Sequence, residues 1–283
     1  MGPPSVEELG RRFADHRYFA DEGLLTAAHL ALTLGRPLLL EGEPGVGKTE
    51  IAKVLARVHG RELIRLQCYE GLDAGQALYE WDYPKQLLHV RVAEAEGRPV
   101  GDLYDERFLL ERPLLRTVRA APGAVLLIDE IDRSDSEFEA FLLEFLSDFQ
   151  ITIPEVGTLR AARPPVVVLT SNRTRELHDA LKRRCLYHWI PFPDAERERA
   201  ILRAQAPGLD DAAAEALVEA IKRVRGEKLL KPPGIAETID WAHGAQTLAA
   251  DGVPWPAALR RSLGLLLKEQ EELERVRALD LGL

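Results

Sequence analysis

The chain has 283 residues, room for one large domain or two of ordinary size, and 46% of them are hydrophobic, enough for a true core. A net charge of −9 without a basic arm sets the overall field against a nucleic-acid backbone, so no nucleic-acid partner is expected. Two cysteines, Cys68 and Cys185, exclude a disulfide framework and suit a reducing, cytoplasmic setting; no run is long and apolar enough for a membrane span, and Met1-Gly2-Pro3-Pro4 lacks the pattern of a signal peptide.

Residues 6–14 and 21–34 read as amphipathic helices, the second with Leu24, Leu25, Ala28 and Leu32 on one side. Tyr18 and Phe19 between them read as core packing, with a stacking surface for a purine base as the functional alternative. Pro37-Leu38-Leu39-Leu40 reads as a buried strand. It feeds Gly42-Glu43-Pro44-Gly45-Val46-Gly47-Lys48-Thr49, a match to the P-loop pattern G-x-x-x-x-G-K-[ST]. Ile51, Val54, Leu55 and Val58 follow at helical spacing, so the loop has the strand before it and the helix after it that the motif needs. Glycines let backbone N–H groups turn inward around phosphate oxygens, and the positive end of the helix adds to the same spot. Lys48 is placed to reach the β- and γ-phosphates and the Thr49 hydroxyl to coordinate Mg²⁺. Gly42 through Thr49, with Glu50 behind them, are the candidate binding residues for ATP and Mg²⁺.

Gly60 is a natural helix stop, and residues 62–68 alternate as a strand, with Ile64, Leu66 and Cys68 against Arg65 and Gln67. In the stretch that follows, 78–83 and 87–90 read as a small hairpin, and 92–96 and 114–120 as helical. Tyr79, Trp81 and Tyr83 form either a local hydrophobic plug or a partner-facing patch.

Ala124-Val125-Leu126-Leu127-Ile128-Asp129-Glu130 is the second anchor. Five consecutive apolar residues indicate a strand buried on both faces, as in a parallel sheet, and its two acids sit where such sheets bind ligands. In this Walker B pattern Asp129 holds Mg²⁺ and Glu130 orients the attacking water. Ser134-Asp135-Ser136-Glu137 reads as a capping box, ahead of a helix with Phe138, Phe141, Leu142, Phe145, Leu146 and Phe149 on one face. Residues 151–159 read as a hairpin. The strand at 166–170 ends in Ser171-Asn172, which places Asn172 to contact the γ-phosphate or the water. A short helix at 177–184 ends in Lys182-Arg183-Arg184, either dipole compensation or an arginine finger for a neighbouring subunit, and 186–190 is the last strand. Pro191-Phe192-Pro193 marks a boundary, so domains are expected at 1–192 and 193–283. Beyond it the pattern is helical only, at 194–205, 211–224, 236–250 and 255–279, with Glu269 to Arg275 as a solvated helix face.

Together these residues resemble an AAA+ ATPase, and the expected fold is α/β: an αβα sandwich on a five-stranded parallel sheet, followed by a small helical lid. The P-loop and Ile128-Asp129-Glu130-Ile131-Asp132-Arg133 look most like the MoxR branch. The stretches Thr170-Ser171-Asn172-Arg173-Thr174-Arg175-Glu176-Leu177 and Ala180-Leu181-Lys182-Arg183-Arg184-Cys185 look like the CoxD-type ATPase that accompanies aerobic carbon-monoxide dehydrogenase. The resemblance implies a ring, usually a hexamer, with ATP sites between subunits. It also implies a chaperone-like role in maturing a metalloenzyme beside a von Willebrand factor A domain partner, and the carbon-monoxide-dehydrogenase likeness implies one with a molybdenum–copper centre. Arg184 falls at the family's trans arginine finger, with Arg183 as backup. One departure is visible: MoxR relatives carry a sensor-2 arginine near the start of a lid helix, where this chain has Ile235, with Lys228 and Lys231 as candidate substitutes. The rival readings are a DNA-acting motor or loader and a non-catalytic, ATP-binding regulatory scaffold. A third idea gives Cys68 or Cys185 a part in sulfur chemistry, with Cys185 beside Arg184 the better placed.

Overall fold

The computed structural model describes residues 4–279 and 281, so the reading of Met1-Gly2-Pro3 lies outside the described residues. In chain order the elements begin with α1 (Val6–Asp15), α2 (Glu22–Leu34), β1 (Leu38–Gly42), α3 (Lys48–His59), β2 (Glu62–Gln67), α4 (Ala74–Leu78), β3 (Tyr79–Trp81), α5 (Tyr83–Ala95), β4 (Leu109–Glu111) and α6 (Pro113–Arg119). They continue with β5 (Ala124–Asp129), α7 (Ser136–Asp148), β6 (Gln150–Ile153), β7 (Gly157–Arg160), β8 (Val166–Ser171), α8 (Asp179–Arg184) and β9 (Leu186–Ile190). From there only helices follow: α9 (Ala195–Gln205), α10 (Asp211–Arg225), α11 (Ile235–Ala250), α12 (Trp255–Arg261), α13 (Leu263–Leu266) and α14 (Gln270–Ala278).

The apolar runs form a five-stranded parallel sheet in the order β2-β5-β8-β1-β9. The crossovers are long because parallel neighbours need a connection that returns across the sheet. Strand β5 is buried along its whole length, as a run without polar alternation requires. Register pairs Ile128 with Leu169 and Glu41 with Ser171. The C-terminal ends of β1, β5 and β8 therefore lie along one edge, where open parallel sheets hold their ligands.

The chain divides into two compact units that interleave in sequence. The first comprises residues 23–41 and 52–188. Its core joins Leu39, Ile64, Leu126, Ile128, Leu142 and Leu169 with the buried face of α7. The second comprises, among the described residues, 6–22, the P-loop segment 42–51, 189–279 and 281. Its core gathers Leu202, Leu217, Ile221, Trp241, Leu259 and Leu263 from the C-terminal helices. In that unit Glu198, 2% exposed, takes a two-point ion pair from Arg225 at 2.9 Å and 2.9 Å.

Several local expectations change. The hairpin expected at 78–90 is absent: β3 pairs antiparallel with β4, and 83–95 is helix α5. Asp82 caps α5 by accepting the Lys85 N–H at 3.0 Å, and Pro84 fits its first turn. The cap of α7 is Asp135, which accepts the Phe138 N–H at 2.8 Å, whereas the Ser134 hydroxyl turns to the Ile131 carbonyl. The helix expected across 255–279 is three short ones, broken at Ser262, whose hydroxyl bonds the Ala258 carbonyl at 2.8 Å, and again at 267–269. Glu272, expected on a solvated face, is buried and accepts the Leu230 N–H at 2.7 Å. The expected hairpin at 151–159 forms as β6 and β7.

Candidate functional site

The P-loop leaves the end of β1 and enters α3 at Lys48. Gly45 (φ +77°) and Gly47 (φ +91°) take the left-handed conformation that a side chain disfavours. Gly42 serves a different need: a Cβ there would come within 2.5 Å of the Ile190 carbonyl. The buried Lys48 ammonium donates to the Gly42 and Glu43 carbonyls, each at 2.8 Å, so the loop is curled around its own cation. The same unit brings the start of α11 onto the loop. The Ala236 N–H donates to the Gly45 carbonyl at 3.1 Å, and a Cβ on Gly234 would lie 2.7 Å from the Gly45 backbone. The Glu237 carboxylate closes this helix end by accepting the Gly234 N–H at 3.0 Å. Ile235 is buried at the first position of α11, and Lys228 and Lys231, the candidate sensor-2 substitutes, are exposed. Tyr18 packs edge-on against Phe13 and borders Gly47. Its hydroxyl is buried without a hydrogen-bond partner, and burial raises its pKa.

The acidic strand end belongs to the first unit. Asp129 is 3% exposed at the end of β5, and a charge so buried needs compensation. One carboxylate oxygen accepts the Thr170 hydroxyl at 2.5 Å; the other accepts Arg65 Nε at 3.0 Å and Nη2 at 2.5 Å. Thr170 Oγ1 in turn accepts the Glu130 N–H at 2.9 Å, so one hydroxyl on β8 holds the carboxylate of Asp129 and the backbone of Glu130. Glu130 has a left-handed backbone (φ +55°), and its Oε2 accepts from Gln67 at 3.0 Å and from Arg133 at 3.3 Å. Asp132, buried, accepts the backbone N–H groups of Asn172 (3.2 Å) and Thr174 (2.8 Å), tying the loop after β8 to the turn after β5. Asp129, Glu130 and Asn172 are thereby brought together within one unit.

Arg183 and Arg184 are exposed at the end of α8 and line a cavity of about 470 Å³ with Arg36 and Phe149; Arg36 bonds both of their carbonyls. The sulfur reading is corrected. Burial, then the charges of Asp129 and Asp132, push the Cys68 thiol up to about 12, and burial pushes Cys185 to about 12 despite Arg36 and Arg184. Both thiols stay protonated and unreactive at neutral pH.

By their chemistry, taken unit by unit, these residues fit a nucleotide with a hard cation. The loop supplies left-handed glycines and an ammonium, and the chain supplies a carboxylate (Asp129) and a hydroxyl (Thr49), the oxygen donors that Mg²⁺ prefers. A positive group, the Arg65 guanidinium, already lies on the Asp129 carboxylate. Sequence reading missed Thr170, Arg65, Gln67 and Asp132. The available signal was the alternation in β2, which puts Arg65 and Gln67 on one face, and the register that sets Gln67 opposite Asp129.

A parallel sheet in this order, with a P-loop after its fourth strand and an acid pair at the end of its second, defines a P-loop nucleoside triphosphatase fold. The chain belongs to the family described as AAA domain (dynein-related subfamily), which matches residues 37–185, more than half its length. That makes it an AAA+ ATPase. It is 27% identical to the uncharacterized protein YehL of Escherichia coli K12, over 86% of this chain and 72% of that one. It is 32% identical to the chaperone protein ClpB 1 of a Nostoc species, over 47% of this chain but 13% of that one. Among solved structures, a Thermotoga maritima RuvB mutant superposes with a TM-score of 0.53 at 20% identity, covering 99% of this chain and 76% of that one; at this identity the likeness speaks to the fold. Among the described residues no helix is long and apolar enough to cross a membrane.

Proposed function

We propose that this chain is a MoxR-type chaperone ATPase that assembles into a ring, a hexamer in the family pattern, and uses ATP hydrolysis to remodel a metalloenzyme client during maturation. The observation that supports it best is the intact pair of acids at the end of β5, with Thr170 bonding the Asp129 carboxylate and the Glu130 N–H, and both carboxylates served by polar groups of β2. A scaffold that only binds nucleotide has no need of the second acid, so the pair favours turnover.

In this reading Gly42 through Thr49 and Glu50 hold the nucleotide, with Lys48 turning from its carbonyls to the phosphates. Thr49 and Asp129 would hold Mg²⁺, which when bound offsets charge on the phosphoryl group. Glu130 orients the water for in-line attack, Asn172 senses the γ-phosphate or that water, and Arg184, with Arg183 beside it, completes the site of a neighbouring copy. The domain division at 1–192 and 193–283, a cytoplasmic setting and a von Willebrand factor A domain partner belong to the same proposal. Its sharpest form takes carbon-monoxide dehydrogenase, with its molybdenum–copper centre, as the client. Nucleic acid is left out on the net charge of −9.

The test is ATPase rate per subunit against protein concentration, with light scattering for mass and Glu130→Gln as the inactive control. The expected result is a rate that rises as rings form, and an Arg184→Ala protein that still binds ATP but turns over about 10³- to 10⁵-fold more slowly. Near-normal hydrolysis by Arg184→Ala, or full turnover by a monomer, refutes the trans-finger ring.

A further inference from the structure

Within the second unit, the turn that covers the P-loop is held from behind by a buried ion pair. The Arg225 guanidinium stands at the end of α10. Its Nη1 and Nη2 donate to the two Glu198 oxygens of α9, each at 2.9 Å, and its Nε donates to the Pro233 carbonyl at 2.8 Å. The Phe192 ring lies against its flat face, with Cζ 4.8 Å from the ring centroid. Nη2 also reaches the Thr238 hydroxyl at 3.5 Å, and that hydroxyl donates to the Gly234 carbonyl at 2.9 Å. The carbonyls on both sides of the Gly234 Cα are thus tied to one guanidinium, one directly and one through Thr238. Gly234 is the residue that sits on the loop. A Cβ there would lie 2.7 Å from the Gly45 backbone, and a Cβ on Gly45 would run into the Glu237 carboxylate and come within 3.1 Å of the Gly234 Cα.

We propose that Arg225, clamped by Glu198, is a positioning residue for nucleotide binding: it fixes the Pro233 carbonyl, and with it the seat of Gly234 on Gly45. The inference rests on the P-loop as the nucleotide site. Two features carry it. The first is the burial of the pair, whose side chains are 14% and 3% exposed. A buried ion pair is a poor source of stability, because the loss of water offsets much of the attraction, so what this one supplies is geometry. The fork is two-pointed, and a third donor of the same planar group sets the turn, so the angle between α9 and the turn is specified. The second is the stiffness of what it holds. Pro232 and Pro233 have fixed φ angles, and the two glycines are in contact with no room to spare. A shift of the Pro233 carbonyl therefore passes to Gly45 instead of being absorbed. Gly45, at φ +77°, belongs to the stretch whose N–H groups curl around phosphate. Arg225 and Glu198 act on the nucleotide through this turn.

The experiment measures the affinity of the whole chain for a fluorescent ATP analogue with Mg²⁺, well below the melting temperature of every variant. Arg225→Lys keeps the charge but cannot hold Glu198 and Pro233 together, so it should weaken binding about three- to tenfold, roughly what one hydrogen bond contributes. Glu198→Asp, which keeps its charge and draws the fork back by one methylene, should act in the same direction. Ile221→Val is the control for loosening alone: it lies buried on α10 one turn before Arg225, and it should lower the melting temperature by a few degrees with affinity changed by less than about twofold. A loss of affinity in Ile221→Val equal to that in Arg225→Lys overturns the positioning. So does an Arg225→Lys protein that binds within about twofold of wild type. A double-mutant cycle with Gly234→Ala tests the route. Once that Cβ lifts the turn from the loop, adding Arg225→Lys should weaken binding by less than about a further twofold; two losses that simply multiply overturn the proposal. Lys48→Ala separates the two levels. If it abolishes binding while Arg225→Lys is silent, only the positioning falls; if it leaves binding intact, the P-loop assignment falls too.

Discussion

Replacing Thr170 by valine preserves its shape and deletes one hydroxyl. That hydroxyl is buried, donates to Asp129 at 2.5 Å and accepts from the Glu130 N–H at 2.9 Å. Losing a donor to a buried carboxylate costs about 1.5–3 kcal/mol, and a buried N–H left without its acceptor costs about 1–3 kcal/mol. The two losses share one atom and are not additive, so the expected destabilisation is about 2–4 kcal/mol. Because this oxygen holds the carboxylate of Asp129 and the backbone of Glu130, turnover should also fall about 10- to 100-fold, as for other groups that orient a ligand without touching substrate. Urea unfolding reads the stability, and amide hydrogen exchange at Glu130 reads the bond itself. Thr170→Ser keeps the hydroxyl and should restore most of both. A loss below about 0.5 kcal/mol, the range of an ordinary surface change, with Glu130 still protected, would refute the reasoning.

Two further outcomes follow from other sites. Gly234→Ala drives a Cβ to within 2.7 Å of the Gly45 backbone, so it should cost about 1–3 kcal/mol and weaken ATP binding; unchanged binding in a titration would show that α11 does not act on the loop. The raised thiols make a pH prediction. Each moves from an ordinary value of 9.0 to about 12 on folding, so the unfolded chain releases its proton first. Their contribution is fully present below pH 9 and is lost as pH rises toward 12, at about 1.4 kcal/mol per thiol per pH unit. Comparing the alkaline unfolding of wild type with a Cys68→Ala, Cys185→Ala double variant isolates this slope, which the variant should lack.

The P-loop, the buried strands and the hairpin of β6 and β7 were legible because their signals are local: a motif of fixed spacing, an unbroken apolar run, a turn between paired strands. The stretch 69–112 was not, although the helix expected at 114–120 forms as α6. Helix α5 leaves Tyr83, Leu87, Leu88 and Val92 exposed, so it has no clean apolar face, and the run Leu87-Leu88-His89-Val90 imitates a strand. The true partner of β3 is β4, about 30 residues on, beyond the reach of any hairpin rule. At the site, the residues that react carry motifs, and those that aim them do not. Thr170 ends an apolar strand, and Arg65 and Gln67 look like the polar half of an alternating one. Only the pairing of β2 with β5 and of β5 with β8 gives these three a purpose.

The same distinction bears on the missing sensor-2 arginine. An arginine at the start of a lid helix would read the nucleotide's charge from the end of a long, flexible side chain. This chain instead sets the helix itself against the loop. Ala236 donates from the first turn of α11 to the Gly45 carbonyl, and Gly234 lies so close that no side chain fits. Such a contact has little slack, because a buried close approach between two backbones resists small shifts. It responds to the position of the loop rather than to charge. A change in the P-loop large enough to move the Gly45 carbonyl must either carry the start of α11 with it or break the Ala236 hydrogen bond. At the position where the resembled family has its arginine, Ile235 is buried, and the backbone on either side of it meets the loop.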